Sequence, residues 1–265
     1  MLVPRVIKKI LERSQTLPAL DIPRAAFTWT SVVISAILTS CIVLICFPFV
    51  YAYDRERHFL HTCASFWGKS IQLLNPWWSF IFYGRENLAK NNEAVVYVAN
   101  HQSQADILAI FMISTRFRWL SKASLFRIPI FGWAMFAVGY VPVVRGNKKS
   151  TERCMKQAAK HLKRGTPMIF FPEGTRSKDG ELGVFKNGAF RLAVSLGVPI
   201  VPITIDGCAY LLPKGSIIPK KATVNVHIHK PISSKNITSN ELMAKARSEI
   251  FDQLEKNKQI SKGIS

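Results

Sequence analysis

Hydrophobic and polar positions divide the chain into an apolar N-terminal part and an alternating C-terminal part. No charged residue occurs from 25 to 53, and a helix of that length would span about 44 Å, against about 30 Å for the hydrocarbon core of a bilayer. A second apolar stretch, 59–84, is crowded with aromatic residues and contains Lys69. Such rings are typical of the headgroup boundary. We therefore predict membrane-docking helical segments over 25–84; the alternative is that the second stretch is a buried helix of a soluble core.

After residue 85 the pattern changes to short apolar runs that alternate with amphipathic stretches. The runs predicted to be strands are 94–99, 139–144, 167–171, 198–205 and 223–229, and the stretches predicted to be helices are 151–164, 187–196 and the one that follows Thr238. Such alternation is typical of an α/β domain. The predicted organisation is a basic lead-in at 1–24, the docking segments at 25–84, a catalytic α/β domain at 85–255 and a flexible tail at 256–265.

The net charge limits the kinds of binding partner, and the cysteine spacing limits the kinds of metal or disulfide site. The chain has 36 Lys and Arg against 16 Asp and Glu, a formal net charge of +20, which favours either an acidic membrane surface or a nucleic acid. The five cysteines show no C-x-x-C spacing, which indicates neither a zinc site nor a disulfide framework. We expect no metal and a reducing compartment.

The strongest candidate chemistry lies where the run 94–99 ends, in the sequence from Asn100 to Asp106. Loop backbone at the carboxyl end of a strand, facing a helix N-terminus, is where α/β folds usually place their chemistry. One turn of chain can bring Asp106 back to a ring nitrogen of His101, which orients the imidazole and leaves the other nitrogen free to take a proton. The alternative is that Ser103 and Asp106 form an N-cap pair.

Other common chemistries are excluded by spacing. Neither G-x-S-x-G nor G-x-G-x-x-G occurs, so the sequence has no esterase-type nucleophile elbow and no dinucleotide fingerprint. Gly68-Lys69-Ser70 imitates the end of a P-loop, but Cys63 stands where its first glycine is required. The sequence thus offers a base without an obvious nucleophile, which favours direct transfer onto a substrate hydroxyl.

Four motifs in order resemble those of the 1-acylglycerol-3-phosphate acyltransferase family, over about residues 60–210. They are Asn100-His101 through Asp106, Gly139 to Arg145, Phe171 to Arg176, and Val201-Pro202. The resemblance implies the glycerolipid acyltransferase fold, an α/β fold in which a mixed sheet flanked by helices follows a membrane-embedded helical segment. It implies transfer of a fatty acyl group from a thioester to the sn-2 hydroxyl of lysophosphatidate, which gives phosphatidate.

The resemblance also implies roles for individual residues. His101 would be the general base and Asp106 would hold its tautomer. The implied substrate-binding residues are Lys122, Arg145, Glu173, Gly174, Thr175 and Arg176. The two arginines and Lys122 would hold the phosphate, where a guanidinium gives two-point contact, and Glu173 with Gly174 would shape the glycerol site. For the arginines the alternative is ordinary surface solvation.

The expected partners are lysophosphatidate, acyl-coenzyme A or acyl carrier protein as the acyl donor, and membrane lipids, with no nucleic acid and no separate cofactor. One alternative is an acyltransferase of the same superfamily that acts on another lysophospholipid or on glycerol-3-phosphate. The alternative from a different class is a non-enzymatic basic protein that binds lipid or nucleic acid.

Membrane topology follows from a conflict in the sequence. The basic N-terminal residues argue for a cytosolic N-terminus, and acyl thioesters are cytosolic or stromal, so the catalytic domain must lie on that face too. A second crossing by 59–84 is disfavoured, since inserting a Lys at the centre of a membrane-spanning helix costs about 2.5 to 3.5 kcal/mol. We therefore expect the first segment to dip into one leaflet or to turn back near Pro48, and the second to lie along the interface, with the catalytic domain on the cytoplasmic or stromal face.

Overall fold

A seven-stranded sheet with helices on both faces forms the centre of the fold. The structure, a computed structural model, describes residues 21–90, 92–113, 115–177 and 180–263. Most of the predicted basic lead-in lies outside the described residues. The strands are β1 (Trp78–Tyr83), β2 (Val96–Ala99), β3 (Arg118–Lys122), β4 (Val141–Val143), β5 (Met168–Phe170), β6 (Ile200–Asp206) and β7 (Ala222–Ile228).

The helices precede the sheet, alternate with its strands and close the chain. They are α1 (Asp21–Val50), α2 (His58–Leu74), α3 (Asp106–Phe111), α4 (Phe131–Val138), α5 (Lys148–Lys163), α6 (Gly188–Leu196), α7 (Cys208–Leu211) and α8 (Ser239–Gly263), with short 3-10 turns at Arg85–Asn87 and Leu125–Arg127. The predicted strands and helices of the α/β part are all present, with ends shifted by a few residues.

The strand order is β1-β7-β6-β2-β5-β3-β4. Strands β2 to β6 pair parallel among themselves, and β7 pairs antiparallel to β6 and parallel to β1. The prediction of a mixed sheet flanked by helices is therefore confirmed. Because β2 and β5 are parallel neighbours, their carboxyl ends lie at the same edge, and the loops that follow them meet there.

Strand β2 is buried on both faces of the sheet. Tyr97 and Ala99 pack into the cluster formed with α1 to α4, and Val96 and Val98 pack into the cluster formed with α5, α6 and α8. Alternate side chains of a strand point to opposite faces, so a strand covered on both sides must be apolar throughout. This explains the unbroken apolar run before His101.

Helix α1 is long and apolar enough to cross a membrane, with a mean hydropathy of 2.6 over its most apolar window, of which 11% is buried. It packs along α2 and α4. Near its start the Trp29 indole donates to the carbonyl of Ile217 at 2.5 Å. Near its end the Arg57 guanidinium lies over the Phe47 ring and donates to the carbonyl of Phe136 at 2.7 Å. Both ends of α1 therefore contact the α/β domain.

The aromatic stretch 59–84 is a helix followed by a strand, so the prediction of docking helices up to residue 84 was wrong for 78–83. Strand β1 is the edge strand of the sheet and pairs with β7, with Trp78 and Phe80 buried and Ile81 exposed. The high density of aromatic residues in this stretch obscured the strand alternation.

The predicted flexible tail at 256–265 is helical as far as Gly263, because α8 continues to that residue. Two side chains of this part contact the rest of the chain. The Asn257 amide donates to Asp206 at 3.0 Å, and the Lys258 ammonium donates to Glu181 at 2.9 Å. These tertiary contacts lie beyond Leu254, the last buried apolar residue of α8.

Candidate active site

The candidate base is built where β2 ends and α3 begins. His101 Nδ1 lies 2.8 Å from Asp106 Oδ2, and Asp106 is fully buried. The same oxygen accepts the backbone N–H groups of Gln102 at 2.7 Å and Ser103 at 2.8 Å. The carboxylate is therefore placed to orient the imidazole, and it also accepts two N–H groups of the loop before α3. The N-cap residue of α3 is Ala105, which has no side-chain cap, so the predicted N-cap pair of Ser103 and Asp106 does not form at the helix start.

The His101 ring is also held on its face. Its centroid lies 4.2 Å from that of Phe171, with 25° between the ring planes. With Nδ1 donating to Asp106, Nε2 is left as the proton acceptor, and His101 lines a cavity of about 220 Å³. Phe171 was not predicted as a site residue; its place at the end of β5, next to the Pro172-Glu173 motif, was the available signal.

Glu173 joins the loop after β5 to the loop after β2. Its Oε1 accepts the backbone N–H of His101 at 2.7 Å and its Oε2 accepts the backbone N–H of Gly183 at 3.0 Å. The side chain is buried, and both carboxylate oxygens accept bonds from backbone. These two hydrogen bonds hold the backbone of His101 against the loop after β5, and we call them the Glu173 brace. The sequence had indicated a place in a glycerol site, which stays a prediction.

The residues that line the cavity with His101 include Arg145 after β4, Gly174 after β5, and Lys186 before α6. Gly174 has φ +72°, and a Cβ there would lie 2.8 Å from the Lys186 ammonium nitrogen. The positive φ therefore favours glycine here, and a larger residue would also displace the end of the Lys186 side chain. Lys186 was not among the predicted binding residues, although its surroundings resembled the family.

Lys122, Thr175 and Arg176 do not line this cavity. Lys122 is exposed at the end of β3, and Thr175 is exposed on the loop after β5. The carbonyl of Arg176 accepts a bond from the Lys214 ammonium at 2.8 Å. Of the predicted site residues, the structure thus brings His101, Asp106, Arg145, Glu173 and Gly174 together and leaves these three at the periphery.

Two buried groups beside the pair of His101 and Asp106, which we call the dyad, have shifted pKa values. Burial raises the pKa of Glu173, and the N–H groups of His101 and Gly183 only partly oppose it. Burial, followed by the negative charge of Asp106, raises the pKa of the Cys208 thiol well above its usual value. Cys208 is therefore a neutral thiol and a poor nucleophile. Within the described part of the chain, no group of three or more His, Cys, Asp or Glu side chains could hold a metal ion.

Comparison with known proteins supports the resemblance. Residues 79–206 match the family model described as Acyltransferase. The chain is 42% identical over 201 residues to a chloroplastic 1-acyl-sn-glycerol-3-phosphate acyltransferase of Brassica napus, covering 75% of this chain and 58% of that protein. It is 42% identical over 226 residues to the chloroplastic enzyme of that name from Arabidopsis thaliana, covering 84% and 62%. The chain thus spans about three fifths of the length of these two plant relatives.

A green-algal relative and a solved structure extend the comparison. The chain is 36% identical over 232 residues to a 1-acyl-sn-glycerol-3-phosphate acyltransferase of Chlamydomonas reinhardtii, covering 86% of this chain and 68% of that protein. Its structure matches the crystal structure of the 1-acyl-sn-glycerophosphate acyltransferase PlsC from Thermotoga maritima with a TM-score of 0.76 and 26% identity, covering 89% of this chain and 96% of that chain.

The brace can be tested with Glu173→Gln, which keeps the size of the side chain but turns one acceptor into an N–H₂ donor. One of the two backbone N–H groups then loses its partner, so we expect the free energy of unfolding to fall by about 1 to 3 kcal/mol. The ring ¹⁵N resonances of His101 should shift as well. Glu181→Gln, at an exposed ion pair near the same loop, is the matched control and should change stability by less than about 0.5 kcal/mol. Equal stability of the two variants would refute the brace.

Proposed function

The chain belongs to the 1-acyl-sn-glycerol-3-phosphate acyltransferase family, and on that premise we propose that it transfers a fatty acyl group from an acyl thioester to the sn-2 hydroxyl of lysophosphatidate, giving phosphatidate. One observation carries the proposal. The ring of His101 is held by Asp106 and by Phe171 and lines the same cavity as Arg145 and Lys186. A general base and two cations around one cavity suit a substrate with both a hydroxyl and a phosphate.

The proposed reaction needs one base and no covalent intermediate on the protein. Nε2 of His101 takes the proton of the sn-2 hydroxyl as the oxygen attacks the thioester carbonyl. The carboxylate of Asp106 stabilises the imidazolium that forms. Collapse of the tetrahedral intermediate breaks the carbon–sulfur bond, and the departing thiolate takes the proton from the imidazolium. General-base catalysis of this kind contributes roughly 10²- to 10⁴-fold.

The phosphate of the acceptor is the second element of the proposal. Arg145 and Lys186 line the cavity, and a guanidinium can bind two phosphate oxygens at once. Arg176 and Lys122 stay proposed phosphate ligands on the family resemblance alone. Glu173 and Gly174 stay proposed residues of the glycerol site, and Thr175 stays a proposed substrate-binding residue.

The proposed acyl donor is acyl-coenzyme A or acyl carrier protein, as a second substrate. The thioester carries its own leaving group and His101 supplies the base, so the proposal includes no further cofactor.

Membrane attachment is proposed to run along α1 and α2. The outer face of α1 is apolar, with Ile45 66% and Phe49 73% exposed. Since Trp29 near the start of α1 bonds to Ile217 and Phe47 near its end packs against the core cluster, a crossing that carried the domain away from one end would break these contacts. We propose that α1 lies in one leaflet, with the catalytic domain on the cytoplasmic or stromal face.

The first test uses the purified full chain with lysophosphatidate and each thioester donor, and resolves the products by mass. We expect phosphatidate, and we expect His101→Ala to reduce kcat by at least about a hundredfold because the base is lost. Asp106→Asn should reduce kcat nearly as much, since the ring loses its orienting carboxylate. His227→Ala, on β7 and outside the cavity, is the control. A His101→Ala variant that keeps more than about a tenth of the activity would contradict the mechanism.

A second test concerns the phosphate. Arg145→Ala and Arg176→Ala should each raise KM for lysophosphatidate by about 10- to 150-fold, the equivalent of a charge-assisted contact of about 1.5 to 3 kcal/mol. KM for the thioester should change far less. Arg153→Ala, at an exposed position on α5, is the matched control. Equal effects on both substrates would show that these arginines support the fold or bind the donor.

The topology can be tested with single cysteines introduced near residues 10 and 260, after replacement of the five native cysteines. In sealed vesicles, a membrane-impermeant thiol reagent should label both positions from the same side. Labelling from opposite sides would show that α1 crosses the bilayer.

A further inference from the structure

A second, larger cavity of about 520 Å³ lies at the edge of the sheet opposite the candidate active site. Its walls include residues 89–90, residues 115–116, Gly165 and Pro167, which precede β2, β3 and β5. These strands run parallel, so their amino ends share one edge. The dyad and Glu173 follow β2 and β5 and lie at the other edge. We call this second site the amino-edge cavity.

The amino-edge cavity is positively charged. Lys69 of α2, Lys90 and Arg116 line it. In the part of the chain that the structure describes, no ion pair neutralises any of the three. The nearby Glu93 carboxylate accepts the backbone N–H of Lys90 at 2.9 Å, so it contacts the main chain. Three cations around one concave surface create a potential that attracts an anion.

Another residue in the cavity wall, His58, responds to this potential. Its pKa is lowered first by burial and then by the positive charges of Arg116 and Arg118, against the opposing effect of Asp54 and Glu56. Glu56 is already engaged, because it accepts bonds from Arg164 at 3.1 Å and from His161 at 3.4 Å. The Asp54 carboxylate accepts the backbone N–H of Phe59 at 2.8 Å.

The surface beside the cavity is apolar. Phe59, Phe66 and Leu73 follow one another at seven-residue spacing along the outer side of α2 and are 51%, 68% and 82% exposed. Two helical turns separate consecutive members, so they form one stripe. Phe66 and Lys69 both border the cavity. The apolar stripe of α2 thus borders a cationic concave surface.

The apolar stripe beside the cationic cavity favours a bilayer surface over a nucleic acid as the anionic partner. A nucleic acid would meet an exposed apolar stripe beside its phosphates and would gain nothing from it. The surface of a bilayer presents acyl chains beneath a layer of phosphates, which matches an apolar stripe bordered by lysine and arginine. A volume of about 520 Å³ is within the range of sites that hold ligands larger than a phosphate ion.

We propose that the amino-edge cavity binds the headgroup of an acidic phospholipid of the bilayer while the stripe of Phe59, Phe66 and Leu73 contacts acyl chains. The site is separate from the phosphate subsite proposed beside His101 and does not depend on acyl transfer. It orients the α/β domain on an acidic membrane.

The test compares two variants of the full chain that each lose three positive charges. Lys69→Gln/Lys90→Gln/Arg116→Gln alters the amino-edge cavity. The control, Lys156→Gln/Lys235→Gln/Lys245→Gln, removes exposed charges from the opposite face, on α5 and α8 and in the loop before α8. Binding is measured by co-sedimentation with vesicles of phosphatidylcholine alone, or of phosphatidylcholine with phosphatidylglycerol.

We expect the cavity variant to bind acidic vesicles at least about tenfold more weakly than the unaltered protein, while the control changes less than about threefold. Neither variant should change on neutral vesicles. Equal losses in both variants would show a diffuse attraction and overturn the proposal. If the triple variant does not fold, Lys69→Gln alone, at an exposed position, is compared with Lys245→Gln, and equal binding of these two overturns the proposal.

A second measurement separates a lipid headgroup from a free anion. Hydrogen exchange at the amides of residues 115–117 should slow on acidic vesicles. Inorganic phosphate at the same ionic strength should leave it unchanged. If phosphate alone slowed exchange at these amides equally, the cavity would bind a soluble anion and the proposal would be overturned. If neither vesicles nor phosphate slowed exchange, the cavity would bind no anion and the proposal would also be overturned.

Discussion

The carboxylate of Asp106 organises the candidate active site. A fully buried charge is costly unless hydrogen bonds compensate it, and Oδ2 accepts three, from the His101 ring and from the N–H groups of Gln102 and Ser103. The ring orientation and the path of the loop are therefore set by one atom. A change at Asp106 would disturb the loop and the imidazole together, so the proposed activity and the local order would depend on the same interaction.

The other half of the site comes from a neighbouring strand. Strand β5 lies beside β2, so the loop after it supplies Phe171 against the face of the His101 ring and Glu173 against its backbone. Phe171 and Glu173 can affect the position of His101 without contacting a substrate. Together they hold a histidine at an open sheet edge, where an unsupported side chain would rotate.

Positive charge is distributed over both edges of the sheet. At the carboxyl edge Arg145 and Lys186 lie beside the dyad, and at the amino edge Lys69, Lys90 and Arg116 surround the larger cavity. The helical layer of α1 and α2 runs between the two edges with its apolar side outward. In the two proposals, the carboxyl edge of the sheet binds a lipid-derived substrate and the amino edge binds the membrane. Both sites bind anionic groups, which accounts for part of the net charge of +20.

The sequence by itself determined what depends on near neighbours: the apolar α1, the alternation of strands and helices, and the His101–Asp106 pair, whose members are one turn apart. Tertiary structure decided the rest. Strand β1 is defined by pairing with β7, far along the chain. The direction of the Glu173 side chain depends on the loop after β2, and the choice of Lys186 over Lys122 as a cavity residue depends on the strand order. These features are set by contacts between distant segments, and no local pattern of polarity encodes which segments will meet.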